Sequence, residues 1–325
     1  MTRRASPGGK WLMAACACLA IAHAGAIAQT YPNRPVKLMV GFAPGGIADI
    51  VTRLIGESLA VQLGQTVIVE NKPGADSRVA LQQLVSAPPD GYLINLSDAS
   101  LVVNSVLHAA REYDPIKDFT PLLYVGEVPN FIAVSPTVAA NTLGEFIDFA
   151  KTRPGKLNYA AGGGATMLGT ELFKTVANVD ITYIPYKGQP MGLAALMTGD
   201  VHLMVSSVGP LTPLVKQGKI KALAVTSRQR TSLAPEVPTT TEAGLPGMVY
   251  TNWFVILGPA GMPRPVVERL QADLRKVMAD PTVLTRLREM GIEPNPVSPE
   301  DFVTLASSEI ARMEKIVKSA NLKIE

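Results

Sequence analysis

The sequence predicts an α/β protein of two domains, and three observations carry that expectation. From Val36 onward, short apolar runs of strand character alternate with helical patterns, the signature of a mainly parallel sheet with helical crossovers. After a last apolar run the pattern changes to amphipathic helices that read as a cover on a sheet already built. The length of 325 residues exceeds what one core ordinarily organises and favours two domains.

In chain order, the first segment reads as an export signal. Arg3, Arg4 and Lys10 precede an apolar run from Trp11 to Ile21, and Ala26-Ile27-Ala28 supplies the small-residue cleavage pattern, so the mature chain starts near Gln29. The run is too short for a membrane span, which needs roughly 18 to 20 apolar residues. The pair Arg3-Arg4 leaves both general and twin-arginine export open. Both cysteines, Cys16 and Cys18, fall inside this segment, so the mature chain holds no disulfide and no thiolate ligand. The formal charge of +3 equals the three basic residues of the leader, which leaves 27 basic against 27 acidic residues. That balance argues against nucleic acid or an anionic membrane as the main partner.

Strand-like runs then occupy 36–40, 67–69, 92–96, 122–134, 157–161, 202–205 and 220–226, with helical periodicity at 49–59, 77–85, 143–151, 167–176, 192–197 and 211–217. A strand at 252–257 precedes the helices 266–278, 282–290 and 299–320. Two extended segments, 126–134 and 249–257, lie where the alternation changes; the pattern reads either as paired hinge strands between two lobes or as ordinary core strands.

Catalytic signatures are missing. Only His108 and His202 follow the leader, with no histidine cluster, no nucleophile elbow and no phosphate loop, so neither cofactor nor metal is expected. Two Gly-rich turns are informative instead. The first runs from the strand ending at Val40 through Phe42, Pro44, Gly45 and Gly46 into a helix beginning with Ile47, Ala48 and Asp49. Free amides at such a helix start hold an anion, and Asp49 fits the N-cap. The second turn, Ala161, Gly162, Gly163, Gly164, Ala165 and Thr166, again joins strand to helix; the two read either as anion-ready turns facing one cleft or as tight strand-to-helix turns with no ligand. Tyr186 and Lys187 offer a phenol and a cation beside Gly188; a plain surface turn has the same composition.

Several motifs, in this order and spacing, resemble the solute receptors of tripartite tricarboxylate transporters. They are Tyr31-Pro32-Asn33-Arg34-Pro35, Pro44-Gly45-Gly46 with Asp49, Glu70-Asn71-Lys72-Pro73-Gly74-Ala75, Pro89-Asp90-Gly91-Tyr92, Tyr113-Asp114-Pro115 with Asp118-Phe119, Pro185-Tyr186-Lys187-Gly188, Ala224-Val225-Thr226 and Glu242-Ala243-Gly244. The resemblance implies a type II periplasmic-binding fold, two α/β lobes joined by two hinge strands with a ligand cleft between them. It divides the chain into a signal peptide at 1–28, a first lobe of 29–130 with 252–325, and a second lobe of 131–251. It further implies a periplasmic, monomeric, non-enzymatic receptor that captures a small organic carboxylate by lobe closure and delivers it to membrane permease subunits. Presentation to a membrane sensor, or a cofactor-free isomerase or lyase on the same scaffold, are the alternatives. The implied ligand residues are Phe42, Gly45, Gly46, Ile47, Ala48, Asp49, Ser97, Ala161, Gly162, Gly163, Ala165, Thr166, Tyr186, Lys187, Ser206 and Ser207. This chain departs from the family pattern where Asp76-Ser77 replaces glycine, and at Met167-Leu168, Ala195 and Ser206-Ser207. Those departures predict fewer polar groups in the distal half of the cleft, and hence a ligand whose second end is less charged or more apolar than citrate.

Overall fold

A computed structural model of the chain describes residues 31–107, 112–161, 163–186, 189–295 and 297–319; the leader, His108, Gly162 and Lys187 lie outside them. The strands are β1 (Val36–Val40), β2 (Val67–Asn71), β3 (Leu93–Asp98), β4 (Phe119–Val134), β5 (Leu157–Ala160), β6 (Ile181–Tyr183), β7 (Leu203–Ser207), β8 (Lys221–Val225) and β9 (Thr251–Pro259). The helices are α1 (Ile47–Leu63), α2 (Arg78–Val85), α3 (Ser100–Leu107), α4 (Leu143–Lys151), α5 (Gly164–Ala177), α6 (Gln189–Thr198), α7 (Val208–Lys216), α8 (Arg264–Ala279), α9 (Pro281–Glu289) and α10 (Pro299–Ser319).

The strand order is β2-β1-β3-β9-β4-β7-β5-β6, with β8 added on β4. The 16-residue β4 belongs to both halves of this sheet. Its Phe119 to Pro129 portion pairs antiparallel with β9, and its Asn130 to Val134 portion pairs with β7 and β8. The sheet is therefore mixed where a mainly parallel one was expected. Pairing is parallel inside each half, β1 with β2 and β3, and β5 with β6 and β7. The long strand β4 joins the halves and runs against β7, β8 and β9, and β9 in turn runs against β3. For 126–134 the sheet thus selects a connecting strand, while β9 pairs, among the described strands, only with β3 and with the Phe119 to Pro129 portion of β4.

Gly126 lets β4 pass from one half to the other. Its φ is +156, the pairing with β9 shifts register beside it, and a side chain there would meet the Glu293 carbonyl at 2.6 Å. That close approach allows Glu127 N to donate to Glu293 O and Glu293 N to Glu127 O, fastening the tail of α9 to the crossing. The core is continuous across the crossing: Ile132, Val134 and Leu203 of the second half share one apolar cluster with Met39, Val255 and Leu257 of the first. As expected, no strand among the described residues follows β9, and α10 lies over β4, placing Phe302 edge-on against Trp253. The helix also packs on α3 and α5.

Two elements escaped the sequence pattern. Strand β6 has only three residues, two of them exposed. Helix α3 is buried along nearly its whole length, so its apolar residues show no one-sided period.

Candidate functional site

The first Gly-rich turn folds around Asp49. Gly45 adopts φ +85, Gly46 is the extended N-cap, and α1 begins at Ile47. Asp49 was expected at the N-cap; it stands instead at the third helical position and reaches back, accepting from Gly45 N at 2.9 Å. Its other oxygen accepts from Asn71 Nδ2 at 2.8 Å and pairs with Arg53 at 2.9 Å. The same Asn71 amide donates to Phe42 O at 3.1 Å. Burial would raise the Asp49 pKa, but the bonds from Arg53, Gly45 and Asn71 prevail and hold it below the usual carboxylate value. Asp49 is a strut of the turn. The amides of Ile47, Ala48 and Asp49 begin a helix and have no carbonyl one turn behind them, the donor set an anion uses.

The second turn is built differently. Gly163 is the N-cap of α5, and Thr166 Oγ1 both accepts from Gly163 N at 3.1 Å and donates to Gly163 O at 3.0 Å. Tyr250, arriving from the approach to β9, donates its hydroxyl to Ala165 O at 2.6 Å. Asn130 Nδ2 and Thr226 Oγ1 in turn donate to Tyr250 O, so the turn is tied to both crossing segments.

Between the halves lies a cavity of about 140 Å³ whose walls include Phe42 from the first turn, Gly163, Ala165 and Thr166 from the second, and Ser206 and Ser207 from the end of β7. Of the other implied residues, Gly45 and Gly46 are exposed, Ala48 and Asp49 are buried behind the turn, and Ile47 is half-buried; none of them lines this space. Ala161 belongs to the core, and Tyr186 packs beside the cluster formed by α6, α7 and β7. Ser97 is fully buried, its hydroxyl without a partner, on the opposite face of β3 from Asp98.

Asp76, Asp98, Ser100, Gly164, Gln189 and Asn252 also line the cavity. Sequence reasoning placed only Gly164 there, in the second turn; Asp76, Asp98, Ser100 and Asn252 reach the cavity from the first half and Gln189 from the second. Gln189 Nε2 donates to Ser206 Oγ at 2.9 Å, so the serine that replaces an acid of the family pattern orients an amide from α6. Ala75, Asp76 and Ser77 form three successive left-handed residues, with φ of 47, 50 and 74. Such strain costs about 1 kcal/mol per residue and persists where surroundings enforce it. Here Asn104 Nδ2 holds Asp76 O at 2.7 Å. Asp98 Oδ1 accepts from both Ser100 N at 3.0 Å and Ser100 Oγ at 2.5 Å. Burial first, and the Asp76 carboxylate second, push the Asp98 carboxyl up to about 6, with the Ser100 bonds opposing. Two signals in the sequence pointed this way: a missing glycine at Asp76, and a carboxylate at Asp98 closing an apolar strand between serines.

A larger groove of about 690 Å³ runs between β4, α8, α9 and the start of α10, walled by Leu122, Met278, Leu284 and Val297. It lies wholly in the first half and is mostly apolar. Convergence of polar groups from both halves singles out the smaller cavity as the candidate binding site. Among the described residues no cluster of ligating side chains could hold a metal ion, and no helix is long and apolar enough to cross a membrane.

Two half-sheets joined through the long strand β4, with a polar cleft between them, define a periplasmic-type solute-binding protein. The family model described as tripartite tricarboxylate transporter family receptor matches residues 51–322, and the chain belongs to that family. BugT of Bordetella pertussis is 30% identical over 302 residues, covering 92% of this chain and 93% of the relative. Among solved structures, Rpa4515 of R. palustris with adipate matches at a TM-score of 0.80 and 34% identity, over 90% of this chain and 98% of that one. MatC from Rhodopseudomonas palustris, with bound malate, matches at 0.75 and 32% identity, over 88% and 100%.

Proposed function

We propose that this chain is an exported, non-enzymatic receptor that captures a small organic acid by closing its two lobes and hands it to membrane permease subunits. The observation that carries the reading is the polar cavity walled jointly by the β1–α1 turn, the end of β3, the β5–α5 turn and the end of β7. A solute touching both walls favours the arrangement in which they approach, and only that differential affinity drives closure. This reading divides the lobes at 130/131 and 251/252; the change of β4 partners between Pro129 and Asn130 and the start of β9 at Thr251 support it. The acids named in the two R. palustris structures favour a carboxylate, and the amides of Ile47, Ala48 and Asp49, in the turn that brings Phe42 to the cavity wall, are the donors proposed to receive it once the lobes close. The leader ending at Ala28 supplies export to the periplasm.

Thermal-shift titration of the purified protein against mono-, di- and tricarboxylates, amino acids and sugars tests the reading. A ligand confined to the folded state adds about 2.7 kcal/mol at 100 times its dissociation constant. Stabilisation by at least one acid, abolished by Gly46→Val, is expected; the open space around Gly46 lets that variant fold. Stabilisation by sugars alone, or unchanged affinity in Gly46→Val, refutes the assignment.

A further inference from the structure

We infer that the cleft is built for a zwitterionic solute, an organic acid that also carries a protonated amine, with the amine seated against Asp98 and Asn252. This deepens the receptor reading and rests on it.

Three observations converge. Asp98 lines the cavity with Oδ1 filled by Ser100, and no hydrogen bond from another described residue reaches Oδ2. Asn252 Oδ1, in the same wall, is shut away from solvent and also lacks a donor. Two acceptors, one of them charged, thus converge on a space where a donor is wanted, and an ammonium group supplies three. Third, the helix start in the second lobe, where a dianion would place its far carboxylate, already has a protein anion beside it. A side chain added at Gly164 would stand 3.5 Å from Asp76 Oδ2, and one at Gly163 3.9 Å from Asp76 Oδ1. Two aspartates around a small desolvated space therefore repel an anion and attract a cation. Burial has already raised the pKa of Asp98, and an incoming ammonium would relieve that penalty.

The test compares solutes matched in length, with one carboxylate exchanged for an amine: succinate against 4-aminobutanoate, and adipate against 6-aminohexanoate. Dissociation constants are measured by calorimetry on the wild type and on Asp98→Asn and Asp76→Asn. The second variant is favourable locally, because asparagine accepts the left-handed backbone of position 76. In the wild type the amino acid of each pair is expected to bind about tenfold or more tightly than its dicarboxylate. Asp98→Asn should lose that preference while keeping its folded baseline. Tighter binding of succinate or adipate by the wild type overturns the inference and leaves the receptor reading intact. So does a preference that survives in both variants. Absence of binding by every acid and amino acid overturns both.

Discussion

Replacing Asp98 by asparagine measures what the cleft gives up in stability to keep a carboxylate there. Folding moves this carboxyl from 3.8 to about 6, first through burial and then through the neighbouring Asp76. A group whose pKa rises on folding adds stability that is complete below the unfolded value and is lost as the pH climbs through the folded one. Two units of difference amount to about 3 kcal/mol at neutral pH. Asparagine mimics the neutral form and keeps an acceptor for Ser100, but loses the charge assistance of that bond, which returns about 1 kcal/mol. Asp98→Asn is therefore expected to be about 2 kcal/mol more stable than the wild type at pH 7.5. Linkage removes about 2 kcal/mol of that gain by pH 4.5, where the folded wild type is already protonated at this site. Urea unfolding at the two pH values, with unchanged slopes, reads both numbers. A variant less stable than wild type at pH 7.5, or a gain of equal size at both pH values, refutes the assignment of Asp98 as a buried, destabilising carboxylate.

Other consequences follow from the same contacts. If Asp98 receives an ammonium, the affinity for 4-aminobutanoate should fall about tenfold per pH unit below 6, as the carboxyl takes up its proton. Asp76 is the other acid acting on it, while Tyr113 and Tyr250, which also feel Asp98, are pushed upward by burial and stay neutral; calorimetry between pH 4.5 and 8 checks the slope. Gly126→Ala, forced against the Glu293 carbonyl at positive φ, should cost about 2 to 4 kcal/mol in urea unfolding, and a loss under 0.5 kcal/mol contradicts the close crossing. Tyr250→Phe removes the bond to Ala165 O and should cost about 1 kcal/mol while weakening ligand affinity, measured by the same titrations; unchanged stability contradicts the tie.

The fold was legible in the sequence because its physics is local. Alternating apolar runs located eight of the nine described strands, and amphipathic periods located nine of the ten described helices, missing only β6 and α3. Burial on all sides erased the period of α3, and three residues are too few for β6 to show one. Strand direction was less legible. Antiparallel pairing of β4 with β9 joins residues more than 120 positions apart, and no local pattern encodes it. Within the candidate site, the Gly-rich turns were visible because glycine marks special backbone. Asp76, Gln189 and Asn252 were not, since their arrival at one cavity depends on how the halves meet.

The motifs that identify the family chiefly hold its turns, which explains why recognition came without a ligand. Asp49 and Asn71 fasten the first turn to β2. Asp114 and Asp118 close their own loop, Asp118 accepting from Asp114 N and Asp114 from Ile116 N and Lys117 N. Thr226 donates to Tyr250 O, and Glu242 accepts from Thr239 N while pairing with Arg230. Each of these polar side chains is committed to the protein, so each records a scaffold and carries no information about the solute. The groups with acceptor capacity left over, Asp98 Oδ2 and Asn252 Oδ1, lie outside every motif, and Asp76 stands where the family pattern has glycine. Such a division lets one fold serve many solutes: scaffold contacts stay constant, while a few cavity positions set charge and shape. Combining Asp76→Gly with Asp98→Ser, which removes both carboxylates from the cavity wall, should therefore preserve the fold and move the preference from amino acids towards dicarboxylates. A double variant that folds and still prefers 4-aminobutanoate over succinate would place specificity elsewhere in the cleft.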